Sequence, residues 1–193
     1  MIAPLSPEHV DAVASMHTVN LTGLLSQLGL AAARVYYAGC TRSPSAVGFV
    51  YHDAGIVRGF VLGSADPVLL KRDVVRANRV ATIAGVLRGV VRRPRLLESV
   101  LKSFRGPDEG RYDARAPELI YLAVDPSART SGVGTGLVDA FGDAMRRAGI
   151  HAYELSVDDD NLAAIGFYEK LGFRVTGRYR EFGILHRRYG MDL

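Results

Sequence analysis

The chain alternates between stretches that repeat every three to four positions and stretches that alternate or run apolar without a break. From Pro7 to His17, Val10, Val13 and Ala14 fall at helical spacing behind Ser6 and Pro7, a plausible N-terminal start. Leu21 to Gly39 reads as a second, apolar helix with Leu24, Leu25, Leu28 and Val35 on one face. Residues 46–55 and 56–66 read as two strands reversed at Asp53-Ala54-Gly55. Residues 68–106 look helical: Val75, Val80, Ile83, Leu87 and Val90 recur with arginines between them. Pro94 interrupts, a short helix carries Leu97, Leu101 and Phe104, and 107–117 reads as a loop.

The rest of the chain is more sharply written. ELIYLAV (118–124) is a run of β-formers with no polar alternation, the mark of a buried strand. Gly136 to Ala148 is a helix, 152–157 a strand, and Asn161 to Leu171 a helix ended by Gly172. FRVTGRYR and ILHRRYGMDL close the chain as a strand pair. The β-α-β unit over 118–157 predicts two parallel strands joined by a right-handed crossover. An α/β (mixed α+β) fold follows, one domain over 1–193 with a helical insertion at 68–106 and helices on both faces of a mixed sheet.

Composition narrows the class. The chain has 193 residues, 48% hydrophobic and 23% charged, ordinary for one soluble domain. One cysteine, Cys40, rules out an intrachain disulfide and fits a reducing, cytoplasmic setting. Cys40 has no neighbouring histidine motif and reads as a core residue, not a nucleophile. The N-terminus lacks a basic then apolar leader, and no apolar run reaches the ~18 residues of a membrane span. Five histidines with no ligand spacing give no basis for a metal site.

Charge is uneven. Val68 to Gly106 holds ten Lys or Arg against two Asp or Glu, formally +8, while the remainder is −4. That segment fits a solvated basic helix, an attractor for an anionic substrate, or a helix lying on an acidic membrane surface. Nucleic acid is not expected, since Phe104 is the only aromatic residue there.

The candidate chemistry lies between a strand and a helix, in Arg129-Thr130-Ser131-Gly132-Val133-Gly134-Thr135-Gly136. First-turn amides lack intrahelical partners, glycines let a ligand approach, and the helix dipole favours an anion. This is a cradle suited to a pyrophosphate. No lysine follows the last glycine as a P-loop needs, and Leu137 stands where a dinucleotide fingerprint needs its third glycine.

Together, LAVDPSARTSGVGTGLV and ELSVDDDNLAAIGFYEKLGFRVTG resemble the GNAT acetyltransferases over about a third of the chain. The resemblance implies a GNAT fold, its central sheet splayed between strands 118–124 and 152–157, with acetyl-CoA in the opening and no metal. It implies that Leu122 and Val124 pair with the pantetheine arm and that the amides of Arg129 to Thr135 hold the pyrophosphate. Asn161 would position pantetheine or substrate, or cap its helix, and Tyr168 would face the sulfur as general acid. Glu118 matches the base of histone-acetylating relatives, with Tyr121 and Glu154 as fallbacks. The implied reaction is direct attack of an amine on acetyl-CoA. A small-molecule amine, among them an amino sugar or another anionic amine, is the first expectation. A protein N-terminal or lysine acetyltransferase and a non-catalytic acyl-CoA sensor are the alternatives. Relatives are often homodimers; the sequence leaves the oligomeric state open.

Overall fold

The computed structural model describes residues 1–102, 109–110, 113–129, 131–181 and 183–193. Thr130 and Phe104, both singled out in the sequence, lie outside the described residues. The elements are β1 (Ile2–Pro4), α1 (Val10–Asn20), α2 (Leu24–Leu28), α3 (Leu30–Cys40), β2 (Ala46–Asp53) and β3 (Ile56–Ser64). Then come α4 (Pro67–Ala77), α5 (Arg79–Arg92), α6 (Leu96–Lys102) and β4 (Glu109–Gly110). The last are β5 (Glu118–Val124), α7 (Val133–Arg147), β6 (Ala152–Asp158), α8 (Leu162–Lys170), β7 (Arg174–Glu181) and β8 (Ile184–Asp192).

Eight strands form one sheet in the order β1-β2-β3-β5-β6-β8-β7-β4. Every neighbouring pair is antiparallel except β5 and β6. One face packs Phe60 and Leu62 of β3 with Val13, Tyr37 and Leu70 from α1, α3 and α4. The other packs Val61, Leu155 and Tyr189 with Leu137 and Phe141 of α7 and Ile165 of α8. Strict alternation along β3 serves both cores, because successive side chains point to opposite faces. Each fully buried Leu or Phe in these layers contributes about 2 kcal/mol.

Several boundaries differ from the periodic reading. The helix expected over 21–39 is two, broken at Gly29, whose φ of +91° no helix accommodates. The described residues of the segment expected to be helical over 68–106 form three helices, the first two capped by Asp66 and Asn78, whose side chains accept from Leu69 N and Ala81 N. Two short strands escape the pattern: β1 on the edge of β2, and β4, inside the expected loop, on the edge of β7. Two or three residues carry too little periodicity to announce a strand; an existing sheet edge recruits them.

Two irregularities shape the centre. In β5, Tyr121 pairs with Leu62 and Leu119 with Gly63, so Ile120 is an extra residue, a β-bulge. The bulge turns Ile120 and Tyr121 to the same side, and both line one cavity. Beside it, β5 and β6 are paired at one position alone among the described residues, Glu118 opposite Glu154. The Glu154 amide donates to the Pro117 carbonyl at 2.8 Å, closing that end. Beyond it the two parallel strands part.

Candidate active site

The parted edge of β5 is the first element of the site. The Asp125 amide donates to the Arg58 carbonyl at 2.8 Å, so residues of that parity face β3. By alternation the backbone groups of Leu122 and Val124 face the gap. The Arg129 side chain confirms the direction, its Nε donating to the Val124 carbonyl at 3.3 Å. From Val124 to Glu118 the strand covers roughly 20 Å.

The second element is the turn into α7. Asp125 holds the 3-10 turn Pro126–Ala128 through the Ser127 amide at 2.8 Å, and its carboxyl is kept below the ordinary range by the Ser127 hydrogen bonds. The Ser131 hydroxyl donates to the Ala128 carbonyl at 2.6 Å. Gly132 is the residue before α7, at φ +80°, with open space where a Cβ would stand. Among the described residues no side chain caps α7, and no acidic residue sits in its first turn, so the amides of Val133, Gly134 and Thr135 present positive charge outward. Val133 is buried; Thr135 is partly exposed.

The other two glycines also serve packing. A Cβ on Gly134 would stand 3.2 Å from the Phe167 ring, and one on Gly136 would stand 3.1 Å from Ile2 Cδ1. They let α8 and β1 pack closely against α7. Of the three, Gly132 alone opens onto free space.

Asn161 caps α8, its Oδ1 accepting from the Ala164 amide at 3.1 Å. Tyr168 is buried, packed against Phe167 and Phe173 with ring centroids at 5.1 Å and 5.4 Å. Burial raises its pKa well above the ordinary phenol value, so it keeps its proton at neutral pH.

The third element is a cavity of about 360 Å³ on the opposite face of the sheet from α7. Its walls come from α2, α3, α4, α5, α6 and β5, with Leu25, Leu28, Tyr36, Leu70, Ile120 and Tyr121 prominent. The lining is mainly apolar. Lys71 is its one cation and Glu118 its one carboxylate among the described residues. Arg72, Arg76, Arg79, Arg88, Arg92, Arg93 and Arg95 are exposed and do not line it.

Glu118 is buried and ion-paired to Arg188 of β8. The same guanidinium donates from Nε to Glu154 at 2.8 Å and from Nη1 to Ser156 Oγ at 2.8 Å. Burial works to lower the Arg188 pKa, but the Glu118 and Glu154 carboxylates outweigh it and hold the cation firmly. Charge thus gathers where β5 and β6 meet. The fallback residues separate: Tyr121 faces the cavity, whereas Glu154 accepts from Thr176 at 3.3 Å and does not line it. Cys40 is buried and its thiol pushed up to about 12 by burial, unfit for nucleophilic work.

The sequence reading missed Arg188, Tyr36 and Lys71. Arg188 lies 70 positions from Glu118, and no local signal marks it among its basic neighbours in HRRYG.

Curated relatives are similar to part of the chain. A mycothiol acetyltransferase of Beutenbergia cavernae is 36% identical over 72 residues, 37% of this chain and 24% of that protein. A peptidyl-lysine N-acetyltransferase of Salmonella typhimurium, YjaB, is 38% identical over 63 residues, 30% of this chain and 36% of that protein. The matched stretch thus spans about a quarter to a third of these relatives. A solved acetyltransferase structure covers all of this chain and 98% of its own at a TM-score of 0.65 and 21% identity, a likeness of fold. The acetyltransferase (GNAT) family matches residues 31–173, and its co-substrate is acetyl-CoA. With the parted strands, the uncapped turn and the matched span together, the chain belongs to the GNAT family of acetyltransferases.

Proposed function

We propose that the protein transfers an acetyl group from acetyl-CoA to a primary amine carried on a small, largely apolar body. One observation supports this most directly. The β5 edge runs from the uncapped α7 turn to Glu118, and Glu118 is also the polar end of the apolar cavity. The residues present fit acetyl-CoA: Gly132 opens onto space, the amides of Val133 to Thr135 suit a pyrophosphate, and Leu122 and Val124 offer strand-like pairing. Arg129, Ser131 and Asn161 belong to the same rim in this reading. Acetyl-CoA supplies the activated acetyl thioester.

The chain's residues then have distinct tasks. The acceptor arrives as an ammonium, since an alkyl amine has a pKa of roughly 10.4. Glu118, ion-paired to Arg188, holds the ammonium and takes its proton. The Val124 amide is placed to polarise a carbonyl in the gap. Tyr168 keeps its phenol proton for the departing sulfur. Residues 1–193 act as one unit, with α4, α5 and α6 as the acceptor-side wall. Its outward arginines do not line the cavity, where Lys71 is the one cation among the described residues.

A lysyl side chain, an amine on four methylenes, fits the same cavity, and the likeness to a peptidyl-lysine acetyltransferase favours it as the second reading. Thiol release from acetyl-CoA across alkyl and aryl amines, lysine peptides and amino sugars separates the two. Alkyl or aryl amines turning over best is the expected result. Tyr168→Phe is expected to lower kcat by about tenfold or more with CoA affinity kept, and Glu118→Gln by about a hundredfold. CoA binding with no release across the whole panel would favour a sensor and overturn the proposal.

A further inference from the structure

α5 buries one face and leaves a second apolar face in water. Its buried face is made of small residues. A Cβ on Gly89 would stand 2.7 Å from Leu28 Cδ2, and one on Gly85 3.4 Å from the Ala32 backbone. Thr82 and Val86, on the same side, line the cavity. The opposite side carries Val80, Ile83, Leu87 and Val91, exposed by 80%, 60%, 57% and 79%. At about 100° per residue these four share an arc of roughly 80°. Arg79 lies on one flank of that arc, and Arg88 and Arg92 on the other, all exposed. A helix packed on one side ordinarily turns polar residues outward. Here the outward arc is aliphatic between two rows of guanidinium groups.

Charge decides what covers it. A second copy laid on this ridge by a two-fold axis would bring the same arginines against themselves, within a segment that is formally +8. The ridge is the convex side of one helix, with no groove of its own for a peptide. A flat anionic surface meets every feature. Aliphatic side chains enter the acyl boundary while the flexible arginine stems carry their charge to headgroup phosphates.

We propose that α5 docks the protein on anionic phospholipid surfaces, with Val80, Ile83, Leu87 and Val91 inserted and Arg79, Arg88 and Arg92 on the headgroups. This rests on the exposed ridge alone and is independent of the acetyl-transfer reading. It also gives the helix two roles on two faces: Thr82 and Val86 wall the acceptor cavity while the ridge faces lipid.

Vesicle co-sedimentation of the whole chain tests it. Binding to phosphatidylcholine vesicles containing roughly one third phosphatidylglycerol is expected to be at least tenfold tighter than to phosphatidylcholine alone, and to fall as salt rises. Ile83→Glu with Leu87→Glu is expected to abolish binding, and Arg88→Gln with Arg92→Gln to weaken it by about tenfold or more. None of these four side chains lines the cavity, so CoA affinity and circular dichroism are expected to stay at wild-type values. Equal binding to both vesicles overturns the proposal. So does sedimentation that survives the glutamate pair, which would assign the attraction to charge without insertion. A wild-type dimer dispersed by the glutamate pair would give the ridge to a second copy instead.

Discussion

His17 is completely buried on α1, between α3 and the bulged strand. Its Nδ1 shares a 2.7 Å hydrogen bond with the Tyr37 hydroxyl, and its ring meets Tyr121 edge to face at 4.7 Å. Burial lowers its pKa from the ordinary 6.5 to about 4. A histidine depressed on folding binds its proton in the unfolded state first. The stability it confers is therefore whole above pH 6.5 and is lost as pH falls from 6.5 to about 4, by roughly 3 kcal/mol. His17→Asn keeps a polar atom near Nδ1 for Tyr37 but cannot titrate. Denaturant melts of that variant are expected to lose most of the pH slope across this window. An unchanged slope would place the titration elsewhere. Because Tyr121 lines the apolar cavity, the same histidine packs behind one of its walls.

At the scale of elements, the bulge in β5 matters most. Opposite it, Gly63 has no room for a side chain: a Cβ would stand 2.2 Å from the Glu118 carbonyl and 2.5 Å from the Phe141 ring. Both obstacles are firm, one a backbone atom and the other a core aromatic. Gly63→Ala must push β3 from β5 and α7 from the sheet. A loss of about 2–4 kcal/mol in a chemical melt is expected, with reduced turnover because Glu118 moves with its carbonyl. Gly132 differs in kind. Space surrounds it, so Gly132→Ala is opposed only by its φ of +80°. The sequence showed a glycine at each place. It did not show which glycine serves close packing, which serves a left-handed turn, and which leaves a ligand room, since that depends on what another element places nearby.

At the scale of the whole molecule, two apolar cores flank one sheet, and the sheet is incomplete where β5 leaves β6. An open strand edge and an uncapped helix start cost stability in the free protein and are recovered by a ligand that pairs with both. CoA at about 100 times its Kd is expected to add about 2.7 kcal/mol, read as a rise in Tm of several degrees. Hydrogen exchange is expected to slow at Leu122, Val124 and the first amides of α7, and little in β2 or β8. Protection spread evenly over the sheet would contradict binding in the gap.

Most of the local structure was legible because its causes are local. The reversal at Asp53-Ala54-Gly55 marked β2 and β3, a β-forming run marked β5, and Asn161 stood where a cap belongs before a helix. The glycine turn after a buried strand pointed to an anion site through backbone amides that any such turn leaves free. Residues distant in sequence were a different matter. Glu118 finds Arg188 only because β8 lies beside β6, and Ile120 and Tyr121 share one cavity wall because β5 bulges opposite Gly63. On α5 the periodic reading saw one apolar stripe; the fold turned Val80, Ile83 and Leu87 to solvent and buried Gly85 and Gly89, because close helix packing selects the smallest residues. Periodicity along a chain reports which positions share a face. Which face meets a neighbour is settled by the shape of that neighbour, and only the folded chain supplies it.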